Sequence, residues 1–499
     1  MKKITGFLCL ATSGLFLPST SHAGMAQLIN TFSNELENRS ARAALQTYQD
    51  LIANAGCFDA MRAPAIVSAS GNTTPTASCT GQTYQLFKNV RAIVHTANEL
   101  TNDGPTQFSL GLDKRGLGFA LRWDAAEEYS AQGSLAGDYL RGQISNLGSR
   151  LTALRFGAQG FHLNAMGLYN DGSSIVQNDE VIQGGGAGDE REEYSPWGGF
   201  INYSGAKGNK APTSLEDAFS FRGNQFNGGF DYRFNPRWVA GSLVSYIDQR
   251  VDFDSSKSIV SGHVDATGFS IFPFVMYQRE HFYASGSVGY QELSFDSLRA
   301  IRYPSLNPDI PSPNTQTLAS TTAKNLSAFL SAGYNLSYKK ISLEPFVNIN
   351  ATQVKIDSFV ERDANKAAFD LVVDAQNIHS ATATVGASLR YTFTPSFAVI
   401  TPYANYELVK QRQDDPHAIA ARYLYAPSET NAFSIPTDIT DDAYNINTLG
   451  VSAVLMGGHQ KAVGGDVAGG LQAFAQYKQI KNLANYEISM VELGLRYEF

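Results

Sequence analysis

From Trp197 to the last residue, Phe499, apolar and polar side chains alternate with a period of two. A strand sends successive side chains to opposite faces, so this period specifies β-structure with one apolar and one polar face. In the last segment Ser489, Val491, Leu493, Leu495, Tyr497 and Phe499 alternate with Met490, Glu492, Gly494, Arg496 and Glu498. Asn325 to Leu336, Ile341 to Thr352 and Ala381 to Phe393 repeat the pattern. Past Thr352 the two faces exchange character at Gln353, Val354 and Ile356, which a β-bulge near Thr352 would explain. The clearest strands run about 10 to 16 residues, long for a globular sheet and suited to crossing a membrane at a tilt.

Twelve candidate strands follow: 197–203, 224–234, 238–246, 266–278, 281–294, 325–337, 341–356, 380–393, 397–409, 446–456, 469–479 and 487–499. Connections after even-numbered strands are mostly tight, as at Asn235-Pro236-Arg237 and Arg279-Glu280. Those after odd-numbered strands are mostly long: 204–223, 247–265, 295–324, 357–379 and 410–445. Short turns at one end and long loops at the other mark an outer-membrane barrel, with the turns in the periplasm. No run of 18 apolar residues follows the first segment, so a helical membrane protein is excluded. With 24 Tyr, 30 Phe and 44 Gly, the composition fits such a barrel.

The start of the chain has the form of a signal peptide, residues 1–23. Lys2 and Lys3 precede an apolar stretch from Ile4 to Leu17, and Ser21-His22-Ala23 offers a cleavage site. In the exported chain Cys57 and Cys79 are expected to form a disulfide, which in the chain-entropy model contributes roughly 3 kcal/mol. The net charge of −8, with acids and bases mixed, argues against nucleic acid as a partner.

Several stretches resemble the β-domain of autotransporters, the type V secretion proteins. They are Trp197-Gly198-Gly199-Phe200, Gly228 to Phe234, Val239-Ala240-Gly241, Ser331-Ala332-Gly333-Tyr334 with Leu343-Glu344-Pro345, and Thr401-Pro402-Tyr403. The resemblance covers residues 197–499 and implies a mainly β fold. It is a twelve-stranded antiparallel transmembrane β-barrel with a lumenal α-helix that links it to an exported passenger. The terminal face of Leu493, Leu495, Tyr497 and Phe499 resembles the signal read by the barrel-assembly machinery. Outer-membrane lipid, that machinery and periplasmic chaperones are the expected partners of a monomeric chain in the Gram-negative outer membrane.

The lumenal helix is expected in residues 123–196, which also hold a Gly-rich, acidic connector. Trp123 to Arg155 lacks Pro, and Ile144, Leu147 and Leu151 recur at helical spacing. Arg141, Arg150 and Arg155 are placed to meet lumenal acids such as Glu344 and Glu492. Asn146 stands alone, without the Asn-Asn pair at which some autotransporters cut themselves.

Residues 24–122 form a short helical passenger or cap, with helices expected around Leu28 to Ile52 and Tyr84 to Leu100. A hairpin is expected over Phe108 to Leu112 and Leu117 to Leu121. No catalytic motif appears, no cofactor or metal is implied, and the His residues at 95, 162, 263, 281, 379, 417 and 459 are scattered. Asp414-Asp415 and Asp441-Asp442 are read as solvated loop charge, with a divalent-cation site as the alternative. The chain is therefore expected to be a non-enzymatic barrel that exports or displays its own N-terminal region. The alternatives are a loop-mediated adhesin or receptor and a plugged solute pore.

Overall fold

The computed structural model describes residues 23–58, 79–133, 148 and 197–498, apart from 236, 255, 280, 396–397, 414–417, 429–432, 439–442 and 457–470. Twelve long strands form the barrel: β1 (Trp197–Lys210), β2 (Phe219–Asn235), β3 (Trp238–Phe253), β4 (Ser261–Arg279), β5 (Phe282–Arg302), β6 (Asn314–Tyr334), β7 (Ile341–Ile356), β8 (Gln376–Tyr391), β9 (Val399–Gln413), β10 (Ala443–Met456), β11 (Leu471–Lys481) and β12 (Tyr486–Glu498). Each pairs antiparallel with the next, and β12 returns to pair with β1 from Gly198↔Glu498 to Lys210↔Tyr486. Closure satisfies every sheet edge, which hydrocarbon demands of any spanning structure.

The strands reach further than their alternation suggested. β5 and β6 each have 21 residues, whereas about 9–11 tilted residues cross the hydrocarbon. The excess lies at the loop end, where the alternation reverses its sense. On β5 the outward residues Phe282, Ala284, Val288 and Tyr290 give way to Glu292, Ser294 and Asp296. Inward, Ser285, Ser287 and Gln291 give way to Leu293 and Phe295. Lipid lies outside the lower part of the wall and water outside the upper part. The outward face follows its solvent, and the inward face becomes apolar where it has something dry to pack against.

This reversal corrects one expectation. β7 is paired in continuous register with both β6 and β8 across Thr352, with no bulge. The exchange at Gln353 is the edge of the lipid band. Aromatic rings mark both edges: Tyr203, Phe226, Tyr246 and Phe269 are paired across β1 to β4 at the loop end. Trp238 and Tyr277, 4.9 Å apart, stand at the turn end.

The N-terminal region is helical: α1 (Ala23–Leu28), α2 (Glu35–Ala55), α3 (Gly81–Thr101) and α4 (Lys114–Asp124). The expected hairpin is therefore replaced by α4. Asp113 caps it by accepting from Gly116 N at 2.7 Å, and Leu117, Ala120 and Leu121 bury one face. A Cβ built on Gly118 would lie 3.0 Å from Glu37 Oε2, so α4 approaches α2 closely there. Nor does one helix run on from Trp123. Ala126 adopts φ 54°, a short 3₁₀ turn spans Glu127–Tyr129, and helix resumes over 130–133.

Position relative to the lipid band fixes the cost of a charge. Leu330→Arg, on the exposed lipid face of β6, is expected to cost about 2–4 kcal/mol in urea-driven unfolding from vesicles. Gln316→Arg, on the same face beyond the band, is expected to cost almost nothing; equal costs would remove the assigned boundary.

Candidate functional site: a cap seated in the barrel mouth

The helices and the loop end of the barrel share one core. Leu36, Tyr48, Leu51, Phe87, Ile93, Leu117 and Leu121 of the cap are buried together with Ile301, Tyr303, Phe359, Phe369, Leu371 and Tyr423. Within the cap Tyr48 stacks on Phe87 at 5.5 Å, and Arg91 lies over the Phe108 ring at 3.4 Å. His95 is a core residue whose Nδ1 accepts from Phe108 N at 3.3 Å. The expected disulfide joins Cys57 to Cys79, with their Cα atoms 5.2 Å apart. It closes the segment between α2 and α3.

Main-chain and side-chain bonds stitch the seam. Leu306 N donates to Leu110 O at 2.7 Å, Asn89 Nδ2 to Ala367 O at 2.7 Å, and Ser428 N to Asp50 Oδ2 at 2.9 Å. The loops add a four-stranded sheet of their own, built from Phe359–Val360, Leu371–Val373, Ala418–Tyr423 and Phe433–Pro436.

At the centre lies a buried ion pair. Arg299, on the inward face of β5, donates to both oxygens of Glu361, with Nε at 2.8 Å and an Nη at 2.6 Å. Its remaining donors reach Trp123 O and Phe369 O, each at 2.9 Å. Glu361 also accepts from Tyr129 Oη at 2.5 Å, Thr317 Oγ1 at 3.0 Å and Leu371 N at 2.8 Å. Five segments from cap, wall and loops therefore meet on two side chains. A second pair, Arg122 with Glu127 at 2.8 Å, lies 3.6 Å from Asp217. Asp217 in turn accepts from Ile259 N at 2.5 Å and Val260 N at 3.1 Å.

Below this seam the inward apolar ring of β2 to β12 includes Phe221, Val251, Leu293 and Ile356, and Ala131 packs into it. Gln132 Nε2 donates to Ser297 Oγ at 3.3 Å, and a Cβ built on Gly133 would meet Ile378 Cδ1 at 3.1 Å. Residues 130–133 thus enter the mouth of the barrel.

The expected lumenal-helix residues, Arg141, Ile144, Leu147, Arg150, Leu151 and Arg155, lie outside the described residues. So do Phe499, Asp414-Asp415, Asp441-Asp442, His162, His417 and His459. In the lumen Glu344 meets Arg390 at 3.1 Å and Glu492 meets Lys478 at 3.4 Å. Leu493, Leu495 and Tyr497 stand on the lipid face of β12. Arg299, Glu361, Tyr129, Arg122 and Asp217 were not singled out from the sequence. Arg299 does share the inward parity of Phe295 and Ser297, the signal that would have found it.

The family model of the autotransporter β-domain matches residues 199–466. The chain belongs to the autotransporter family. Its barrel is a type V secretion barrel of the outer membrane, which exports its passenger. The translocator domain of the autotransporter NalP from Neisseria meningitidis is similar in structure, with TM-score 0.44 and 13% identity, covering 72% of this chain and 98% of that one. The β-domain of the Bordetella autotransporter BrkA gives TM-score 0.43 and 13% identity, covering 61% of this chain and 100% of that one. A comparison with curated proteins finds no match.

The N-terminal region of this autotransporter buries carboxyls of its own at the seam. Burial pushes Asp124 up to about 7, opposed by Arg299 and by Tyr303. It pushes Glu128 up to about 8, opposed by Arg299 and reinforced by Glu127 and Glu361. Among the described residues no other side chain bonds the Glu128 oxygens, and the one hydrogen bond that favours its charged form comes from its own backbone N–H. The docked cap therefore holds protons that an unfolded cap, with ordinary carboxyls, releases as pH rises. The contribution of these two carboxyls to its stability is full below about pH 4 and is lost as pH climbs to about 8. Protease resistance of the cap is expected to be several-fold greater at pH 5 than at pH 8; a rise towards pH 8 would contradict this.

Arg299→Met leaves Glu361 buried without its cation and is expected to cost about 3–5 kcal/mol of cap docking. The measurement is protease sensitivity of residues 24–133 in a barrel that still migrates as folded on unheated gels. A cap as resistant as the wild type's would contradict the role given to the pair.

Proposed function

We propose that residues 24–133 are the passenger, that they pass through their own barrel, and that they stay at the cell surface as a cap. One observation carries this reading: Tyr129 is anchored at the loop end, whereas β1 begins at Trp197 at the turn end. The covalent chain between them must join the two ends of a closed barrel. With the short turns in the periplasm, the loop end and its cap face outward. Export through the lumen is the reading that joins them without exposing polar backbone to lipid.

The shared core argues for retention over release. An isolated cap would expose the apolar surface that Phe369, Leu371 and Tyr423 now cover. Residues 1–23 act as the signal peptide, and the Leu493, Leu495 and Tyr497 face of β12, with Phe499 after it in sequence, is recognised by the barrel-assembly machinery, with periplasmic chaperones carrying the unfolded chain. We assign the chain no catalytic step.

An epitope inserted after Phe58, which is exposed at the end of α2, tests this reading. Antibody is expected to stain intact cells, and the full-length chain to remain with the cells. Staining only after the outer membrane is opened would overturn export, and an N-terminal fragment in the medium would overturn retention.

A further inference from the structure

The outward face just beyond the lipid band is not uniform around the barrel. On β1 to β3 the outward cations Lys207, Arg222 and Arg250 are paired in a row, which ends on acids: Arg250 bonds Asp252 at 2.7 Å and Asp265 at 3.3 Å. On β6 to β9 the outward positions past the band carry Lys324, Lys355, His379, Lys410 and Arg412, all exposed, with Gln353 preceding Lys355 on β7. Lys324 is paired directly opposite Lys355 in the β6–β7 ladder. Like charges placed so are unfavourable unless an anion lies between them. Among the described residues none of these five is ion-paired. Glu292 faces Lys324 at the edge of the arc, and Asp357 accepts from Thr322 Oγ1 at 2.8 Å.

Between the cations lies a floor of small side chains. Ala381 is paired with Ala351 on one side and with Arg412 on the other, and Ala383 is paired with Lys410. Toward the membrane this floor runs directly into the exposed apolar residues Leu326, Ile349, Val385 and Leu408. Such a surface offers hydrocarbon contact below, room for a compact headgroup above, and cations on two flanks.

We propose that the β6–β9 arc binds a phosphorylated glycolipid of the outer leaflet. Its acyl chains lie on the apolar band, its sugar over the alanine floor, and its phosphates between the Lys324–Lys355 and Lys410–Arg412 flanks. Arg412 is suited to a bidentate grip, and the lysines act as point charges.

The inference rests on the outward orientation of the loop end proposed above. The full-length protein in neutral detergent is tested with bisphosphorylated lipid A, fully dephosphorylated lipid A, phosphatidylglycerol and inorganic phosphate as separate probes. Binding is read by native mass spectrometry. Wild-type protein is expected to retain lipid A, and Lys355→Gln/Lys410→Gln/Arg412→Gln to bind it about a hundredfold more weakly. Lys207→Gln/Lys481→Gln, outside the arc, is expected to bind as wild type. Equal binding by the arc variant, or equal binding of dephosphorylated lipid A to wild type, would overturn the proposal. So would competition by phosphatidylglycerol or inorganic phosphate at matched concentration. The lipid series on wild type stands even if the arc variant misfolds. A failed orientation would appear as a protected epitope after Phe58, a separate readout from lipid binding.

Discussion

The arrangement of this molecule depends on the Arg299–Glu361 pair. Taking two charges out of water costs several kcal/mol per ion, and the pair is tolerated because nearly every donor and acceptor on it is used. Arg299 is held by Glu361, Trp123 O and Phe369 O, and Glu361 by Arg299, Tyr129, Thr317 and Leu371 N. No one of these segments satisfies the pair alone. The barrel wall brings the cation, the β7–β8 loop the anion, and the cap the phenol and a carbonyl. The pair therefore specifies one seating of the cap more than it adds bulk stability.

That seating is possible because the barrel wall outgrows the membrane. Where lipid ends, the outward face of β3, β5 and β7 turns polar and the inward face turns apolar with no change of register. The wall thus becomes a soluble protein turned inward, with its core on the axis. The dry ring of Phe221, Val251, Leu293 and Ile356 and the cap core above it are consequences of the same inversion.

The barrel was legible in the sequence because lipid imposes a strict period of two over each crossing. The strand count, the turn positions and the closing strand to Tyr497 follow from it. The strand ends were not legible, because beyond the band the alternation keeps its period but exchanges its faces. Read locally at Thr352, that exchange imitates a bulge. Residues 114–124 were misread for a different reason. Gly116 and Gly118 weaken the helical signal, and only tertiary contact with Glu37 explains the second of them. The disulfide was legible from two cysteines alone, whereas nothing in the sequence marks Glu361 within the 357–379 connection. Its meaning depends on a partner 62 residues away in sequence.

The division of one core between cap and barrel bears on how export is driven. A passenger that folds by itself gains its stability wherever it emerges. This cap gains the contacts of Tyr303, Phe369, Leu371 and Tyr423 only at the mouth of the barrel. On the proposed route, folding free energy is released at the exit, once Tyr129 can reach Glu361. The same contacts oppose backsliding, since returning into the lumen would break the Arg299 cluster and expose the cap's apolar faces together. Export and retention then have one physical cause, the incompleteness of each part without the other.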